Sequence, residues 1–136
     1  MKIIQVKRFL FESALKRMTT IVNIESGKNS GSGEYRVLSK GAPEVIKKLL
    51  SSVPNGYDKG YLKYVKNGAR VLAMGYKILP KQSADSYALI KRDEAESMLE
   101  FCGFIISECP LKPDTKKVIR ELKASNHEVK MITGDN

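Results

Sequence analysis

The chain of 136 residues has no apolar run near the roughly 18–20 residues needed to cross a bilayer. No signal-peptide pattern opens it, because Lys2, Lys7 and Arg8 interrupt the first apolar residues. It holds only two cysteines, Cys102 and Cys109, seven positions apart on one extended segment. That spacing fits neither a CxxC metal site nor a disulfide framework, so reduced thiols in a cytosol-like compartment are expected. Its single histidine, His127, precedes an apolar stretch without a partner and reads as a cap or surface residue. HExxH, G-x-S-x-G and glycosylation sequons are all missing. Acidic residues are scarce: 15 against 24 basic ones leave a net charge of +9. Such a chain attracts anions, with nucleotides, nucleic acids and anionic lipid as candidates, unless the charge only solubilises.

What is present is ordinary for a globular domain, with 42% hydrophobic and 29% charged residues. One domain of this length buries roughly two-thirds of the surface exposed by its unfolded chain. Residues 3–11 and 18–24 read as strands, and a Gly/Ser/Asn-rich segment at 27–33 leads into a third strand at 35–39. The pattern is an antiparallel hairpin. The glycine-rich segment is not a phosphate loop, since Gly33 is followed by Glu34 and a strand rather than Gly-Lys-Ser/Thr and a helix. Pro43 stands where a helix opens, with Val45, Ile46, Leu49 and Leu50 on one face. A second helix at 57–67 is expected to bury Tyr61, Leu62 and Val65 and to stop at Gly68. A strand at 70–79, a charged helix at 85–99 and a strand at 101–106 follow. Cys109-Pro110-Leu111-Lys112-Pro113 is a stiff connector or a simple loop. Beyond it, Pro113 opens a last helix carrying Val118, Ile119 and Leu122. Val129, Met131 and Ile132 read as a final buried strand ending in a Thr133-Gly134-Asp135 turn.

Four places have residue types suited to binding phosphate esters. Phe11 precedes the basic pair Lys16 and Arg17; aromatic faces stack on bases and cations hold phosphates, although the ring suits a core equally well. Lys40, at a strand end before Gly41 and a Pro43 helix start, fits an anion cradle or an ordinary turn with a solvated lysine. Arg70 heads a strand, where its guanidinium reaches a phosphate, a ribose or a surface carboxylate. Thr133, Gly134 and Asp135 offer a hydroxyl, an open amide and a carboxylate at a strand end, the edge where α/β sheets gather chemistry.

These segments occur together in a known order. With Phe11…Lys16-Arg17-Met18, Lys40-Gly41-Ala42-Pro43-Glu44, Gly68-Ala69-Arg70-Val71-Leu72-Ala73 and Met131-Ile132-Thr133-Gly134-Asp135-Asn136, the chain resembles the nucleotide-binding domain of P-type ATPases running into their phosphorylation domain. Cys109-Pro110-Leu111-Lys112-Pro113-Asp114 stands where most of that family carries Asp-Pro-Pro-Arg. With Ser13-Ala14-Leu15-Lys16-Arg17-Met18, it looks like type V, subgroup A, of the endoplasmic reticulum.

The resemblance implies an α/β (α+β) fold: an antiparallel sheet with flanking helices, then a short βαβ-like piece of a haloacid-dehalogenase-like domain. Residues 1–108 would be the C-terminal part of the nucleotide-binding domain, 109–113 the hinge and 114–136 the start of the phosphorylation domain. Phe11 would stack on adenine, with Lys16, Lys40 and Gly41 in the pocket and Arg70 at the phosphates. Thr133, Gly134 and Asp135 would face the phosphorylated aspartate. The implied ligand is ATP, with Mg²⁺ in the parent enzyme and its ligands absent here. The implied partners are the parent's phosphorylation, actuator and membrane domains, with no nucleic acid, and a dimer of the fragment through open sheet edges is possible. The parent would sit at the cytosolic face of the endoplasmic reticulum membrane, coupling an aspartyl-phosphate cycle to transport or helix dislocation, while the fragment is expected to be soluble and without turnover. A basic nucleic-acid module using Tyr57, Tyr61 and Tyr64, and a stand-alone phosphatase, are the competing readings.

Overall fold

The structure, a computed structural model, describes residues 1–25, 33–80, 83–108 and 110–132. Five strands form one antiparallel sheet in sequence order: β1 (Lys2–Glu12), β2 (Arg17–Glu25), β3 (Glu34–Gly41), β4 (Arg70–Ile78) and β5 (Glu100–Ser107). Between β3 and β4 run helices α1 (Pro43–Leu49) and α2 (Tyr57–Val65), and between β4 and β5 run α3 (Ala84–Leu89) and α4 (Arg92–Ala95). Helix α5 (Thr115–Ala124) follows the sheet. The fold is thus the expected antiparallel sheet with flanking helices. The 27–33 expectation falls outside the described residues except for Gly33.

Alternation along the strands sends one set of side chains under the helices and leaves the other open. Ile21 and Val37 pack with Leu79, Tyr87, Ile90, Ala95 and Leu99 beneath α3 and α4. Ile46, Tyr57 and Ala73 form a second cluster with Phe101 and Phe104 under α1 and α2. Each fully buried aliphatic side chain contributes about 1.5–3 kcal/mol. The two helical layers join where Leu99 bridges Leu50, with Leu99 N–H donating to the Leu49 carbonyl at 2.9 Å.

Three expectations are corrected. The span 85–99 is not one helix but α3 and α4, separated by extended Ile90 and Lys91. Its buried residues Tyr87, Ile90, Ala95 and Leu99 are spaced three, five and four apart, and the five-residue step would carry one of them off a continuous helical stripe. Two short helices bring all four to the core. In α2 it is Tyr57 that is buried, while Leu62 and Val65 are 40% and 45% exposed. The helix leans on the sheet through its first half, where Gly60 lies so close to Phe104 that a Cβ would meet the ring at 3.3 Å. Finally, 127–132 forms no strand, and Met131 and Ile132 are 89% and 96% exposed. No described strand lies beside this segment to complete its backbone hydrogen bonds, so the expected βαβ-like piece is represented only by α5. That helix ends with Asn126 at φ +58°, while the N–H groups of Asn126 and His127 return to Lys123 and Leu122.

Tyr57 is central to the second cluster: it packs edge-on against Phe101 and Phe104 and donates its hydroxyl to the Pro43 carbonyl at 2.9 Å. Burial, followed by the charges of Tyr61, Asp58 and Glu44, pushes its phenol up to about 12. A phenol with its folded pKa raised above its unfolded value, near 10, stabilises the fold fully below pH 10. That contribution is lost as pH rises through about 12. Urea titrations at pH 9 and pH 11.5 are expected to show a smaller alkaline loss of stability in Tyr57→Phe than in the parent chain.

Candidate functional site

The strand register brings five of the eight candidate residues to one end of the sheet. Glu12, at the end of β1, is opposite Arg17 at the start of β2, which is opposite Gly41 at the end of β3. Gly41 faces Ala73 of β4, and Arg70 lies three residues further out, opposite Ser107. At about 3.3 Å per residue, Arg70 projects the edge by about 10 Å beyond that pair. Phe11, Lys16, Lys40, Gly41 and Arg70 therefore share one edge, although 59 positions separate the first from the last. Thr133, Gly134 and Asp135 lie outside the described residues.

Next to this edge, the open face of the sheet holds a cavity of about 410 Å³, lined by Met18, Leu38, Lys40, Met74, Tyr76 and Cys102 among others. Its size is within the usual range for small-molecule pockets. Met18, Lys40 and Met74 lie side by side across three strands. Two thioethers provide polarizable walls for a planar ring, and the lysine adds a cation. Where β1 passes Met18 the register slips: Phe9 is opposite Thr19 and Glu12 opposite Arg17. Leu10 and Phe11 together face the one residue Met18, and Phe11 is 58% exposed. A second slip, between Met74 and Gly75, makes Cys102 the extra residue of β5. At the far side, Tyr76 donates its hydroxyl to Glu100 at 2.7 Å, which raises its pKa.

Gly41 lies tight against the β1–β2 turn. A Cβ there would meet the Lys16 carbonyl oxygen at 2.6 Å and the Arg17 Cβ at 2.7 Å. The close approach its glycine permits is to the β1–β2 turn, fastened by Ala42 N–H donating to the Lys16 carbonyl at 3.0 Å. Lys16 itself has φ +49°, and its N–H closes the turn onto the Glu12 carbonyl at 2.7 Å.

Arg17, the partner of Lys16 in the basic pair, turns away from the cavity. Its Nε donates to Glu96 Oε2 at 2.6 Å. Glu96, with a side chain only 1% exposed, also accepts from Arg92 Nε at 2.9 Å and from Thr19 Oγ1 at 2.7 Å, and Thr19 is within 2.8 Å of the Ser39 hydroxyl. The result is an Arg-Glu-Arg cluster around a buried carboxylate. Its one sequence signal is the four-residue spacing of Arg92 and Glu96, which on a charged helix suggests a solvated pair.

Among the described residues no group of histidine, cysteine and carboxylates could hold a metal, and no helix is long and apolar enough to cross a membrane. Residues 2–114 match the family described as P-type ATPase, cytoplasmic domain N. The chain is 43% identical over 130 residues to the probable manganese-transporting ATPase PDR2 of Arabidopsis thaliana, covering 96% of this chain and 10% of that protein. It is 43% identical over 131 residues to the endoplasmic reticulum transmembrane helix translocase of Saccharomyces cerevisiae, covering 96% of this chain and 10% of that protein. With the probable cation-transporting ATPase 13A5 of Homo sapiens the identity is 35% over 136 residues, covering 98% and 11%. The chain spans about a tenth of the length of these curated relatives. It belongs to the P-type ATPases, among relatives of their type V branch, and corresponds over most of its length to the cytoplasmic domain N.

Proposed function

We propose that this chain binds ATP at the β1–β4 edge, as part of a membrane ATPase that passes the γ-phosphoryl group to an aspartate and couples this to transport or transmembrane-helix dislocation. The observation that carries the reading is the cavity between Met18, Lys40 and Met74, beside the outward-facing Phe11 and an edge bearing Lys16 and Arg70. The base would lie on the thioethers with Phe11 against it, and Lys40, Lys16 and Arg70 would meet the phosphates. Such positioning and charge compensation provide most of the catalysis in phosphoryl transfer. Mg²⁺ would arrive with the nucleotide. The 136 residues contain no Asp-Lys-Thr-Gly-Thr segment, so binding without turnover is expected of them.

In this reading residues 1–108 serve the nucleotide, 109–113 hinge, and 114–136 open the phosphorylation domain, where Thr133, Gly134 and Asp135 would approach the phosphoryl group. Helix α5 suits such a role, since Val118, Ile119 and Leu122 leave an exposed apolar stripe for a neighbouring layer. The open edges β1 and β5 would take further strands of the longer protein or a second copy. The cytosolic face of the endoplasmic reticulum membrane is the proposed location, from the names of the fungal relatives. The nucleic-acid alternative loses one of its three proposed stacking rings, because Tyr57 is buried among aromatic rings.

Cys102 provides the test, being exposed and in the cavity wall. Saturating ATP is expected to slow its alkylation, followed by peptide mass mapping to separate it from Cys109, whereas AMP protects less. Lys40→Ala should weaken that protection. An alkylation rate at Cys102 indifferent to ATP would overturn the assignment.

A further inference from the structure

We propose that Arg92 is a positioning residue for this edge, acting through the irregular turn of β1 that presents Phe11. This rests on the nucleotide-binding reading of Phe11 for its functional consequence, but not for its geometry. Four N–H groups of the Arg92 guanidinium are in use, and they reach three segments of the chain. Nε donates to Glu96 within the same short helical region. One terminal nitrogen donates to the Glu12 carboxylate, and the other to the carbonyls of Leu10 at 3.3 Å and Arg17 at 3.0 Å. The guanidinium also lies 5.8 Å from the centre of the Phe9 ring.

These partners bracket Phe11. Leu10 and Glu12 flank it in sequence, Phe9 begins the register slip, and Arg17 lies across the strand pair where the slip ends. A bulge leaves backbone groups unpaired and re-aims the side chains it contains, and bulges are common beside functional sites for that reason. Here the Leu10 carbonyl, inside the slip, accepts a hydrogen bond from Arg92. Arg92 in turn is held by Glu96, which is itself fixed by Arg17 and Thr19. A chain of charge-assisted hydrogen bonds therefore runs from the buried face of the sheet to the Leu10 carbonyl on one side of the candidate base-stacking ring and the Glu12 carboxylate on the other. A lysine keeps the charge but not the planar fork that serves several acceptors at once.

The test places 4-fluorophenylalanine at the phenylalanine positions and compares the 136-residue chain with Arg92→Lys. The expected result is a displaced fluorine resonance at position 11, unchanged resonances at 101 and 104, and a preserved cooperative unfolding transition. Calorimetric titration with ATP should show binding weakened by about tenfold, equivalent to about 1.4 kcal/mol. In a Phe11→Ala background the same substitution should add less than about twofold, because both changes act through one side chain. An unmoved resonance at position 11 overturns the proposal whatever ATP does. A moved resonance with unaltered ATP affinity supports the positioning role and instead defeats the placement of nucleotide on Phe11. Losses that multiply in the double variant also overturn it.

Discussion

Glu96→Ala is expected to lower folding stability by about 3–5 kcal/mol, the usual cost of removing one partner from a buried ion pair. The carboxylate is fully inside the fold and receives three donors, from Arg17, Arg92 and Thr19. Without it, two guanidiniums with side chains only 13% and 14% exposed lose their shared carboxylate. The Thr19 hydroxyl loses its acceptor as well. Urea unfolding checks the magnitude, and Glu96→Gln separates charge from shape. The amide keeps the volume and can accept from one arginine, so it should recover part of the loss. A loss under about 1 kcal/mol for Glu96→Ala would mean that water reaches the cluster as at a surface pair. Triple replacement of Arg17, Arg92 and Glu96 by apolar residues of similar volume is the informative comparison, since buried ionic clusters are often no more stabilising than good hydrophobic packing.

Gly41→Val is expected to cost about 3 kcal/mol, at the upper end of what overpacking produces. The atoms in the way are the Lys16 carbonyl oxygen and the Arg17 Cα and Cβ, none of which is the free end of a flexible chain. Relief requires β3 and the β1–β2 turn to separate, breaking the bond from Ala42 N–H to the Lys16 carbonyl. Because Lys40 and Lys16 flank that contact, the variant should also bind ATP more weakly than its loss of stability alone would cause. Denaturation and calorimetric titration of the same preparation check both effects. Stability within about 0.5 kcal/mol of the parent would show that the strand end moves freely.

Much of this molecule is readable along the chain. The strands at 3–11, 18–24, 35–39, 70–79 and 101–106 are evident because half-buried antiparallel strands impose a two-residue alternation that Ile21, Val37 and Ala73 keep. Pro43 marks a helix start by its fixed φ, and Gly68, with φ +82°, marks the end of the α2 region. Lys40, Phe11 and Arg70 were identifiable as candidates from residue type at element ends. Residues 85–99 were not readable in the same way, because their charges mimic a solvated helix and the five-residue gap between Ile90 and Ala95 becomes meaningful only against a sheet.

Local sequence determined the elements and their order, since φ/ψ preference and hydrophobic period act over a few residues. It also determined the family, because four short strings occur in one order. Only tertiary structure decided that Arg17 points inward to Glu96 while Lys16 stays at the edge, and that Gly41 packs against the backbone of the β1–β2 turn. Only tertiary structure joined Arg92 to the strand end carrying Phe11, 81 positions away. Neighbouring residues of like charge are equivalent until strand register assigns one to each face and burial attaches a cost to the charge that turns inward.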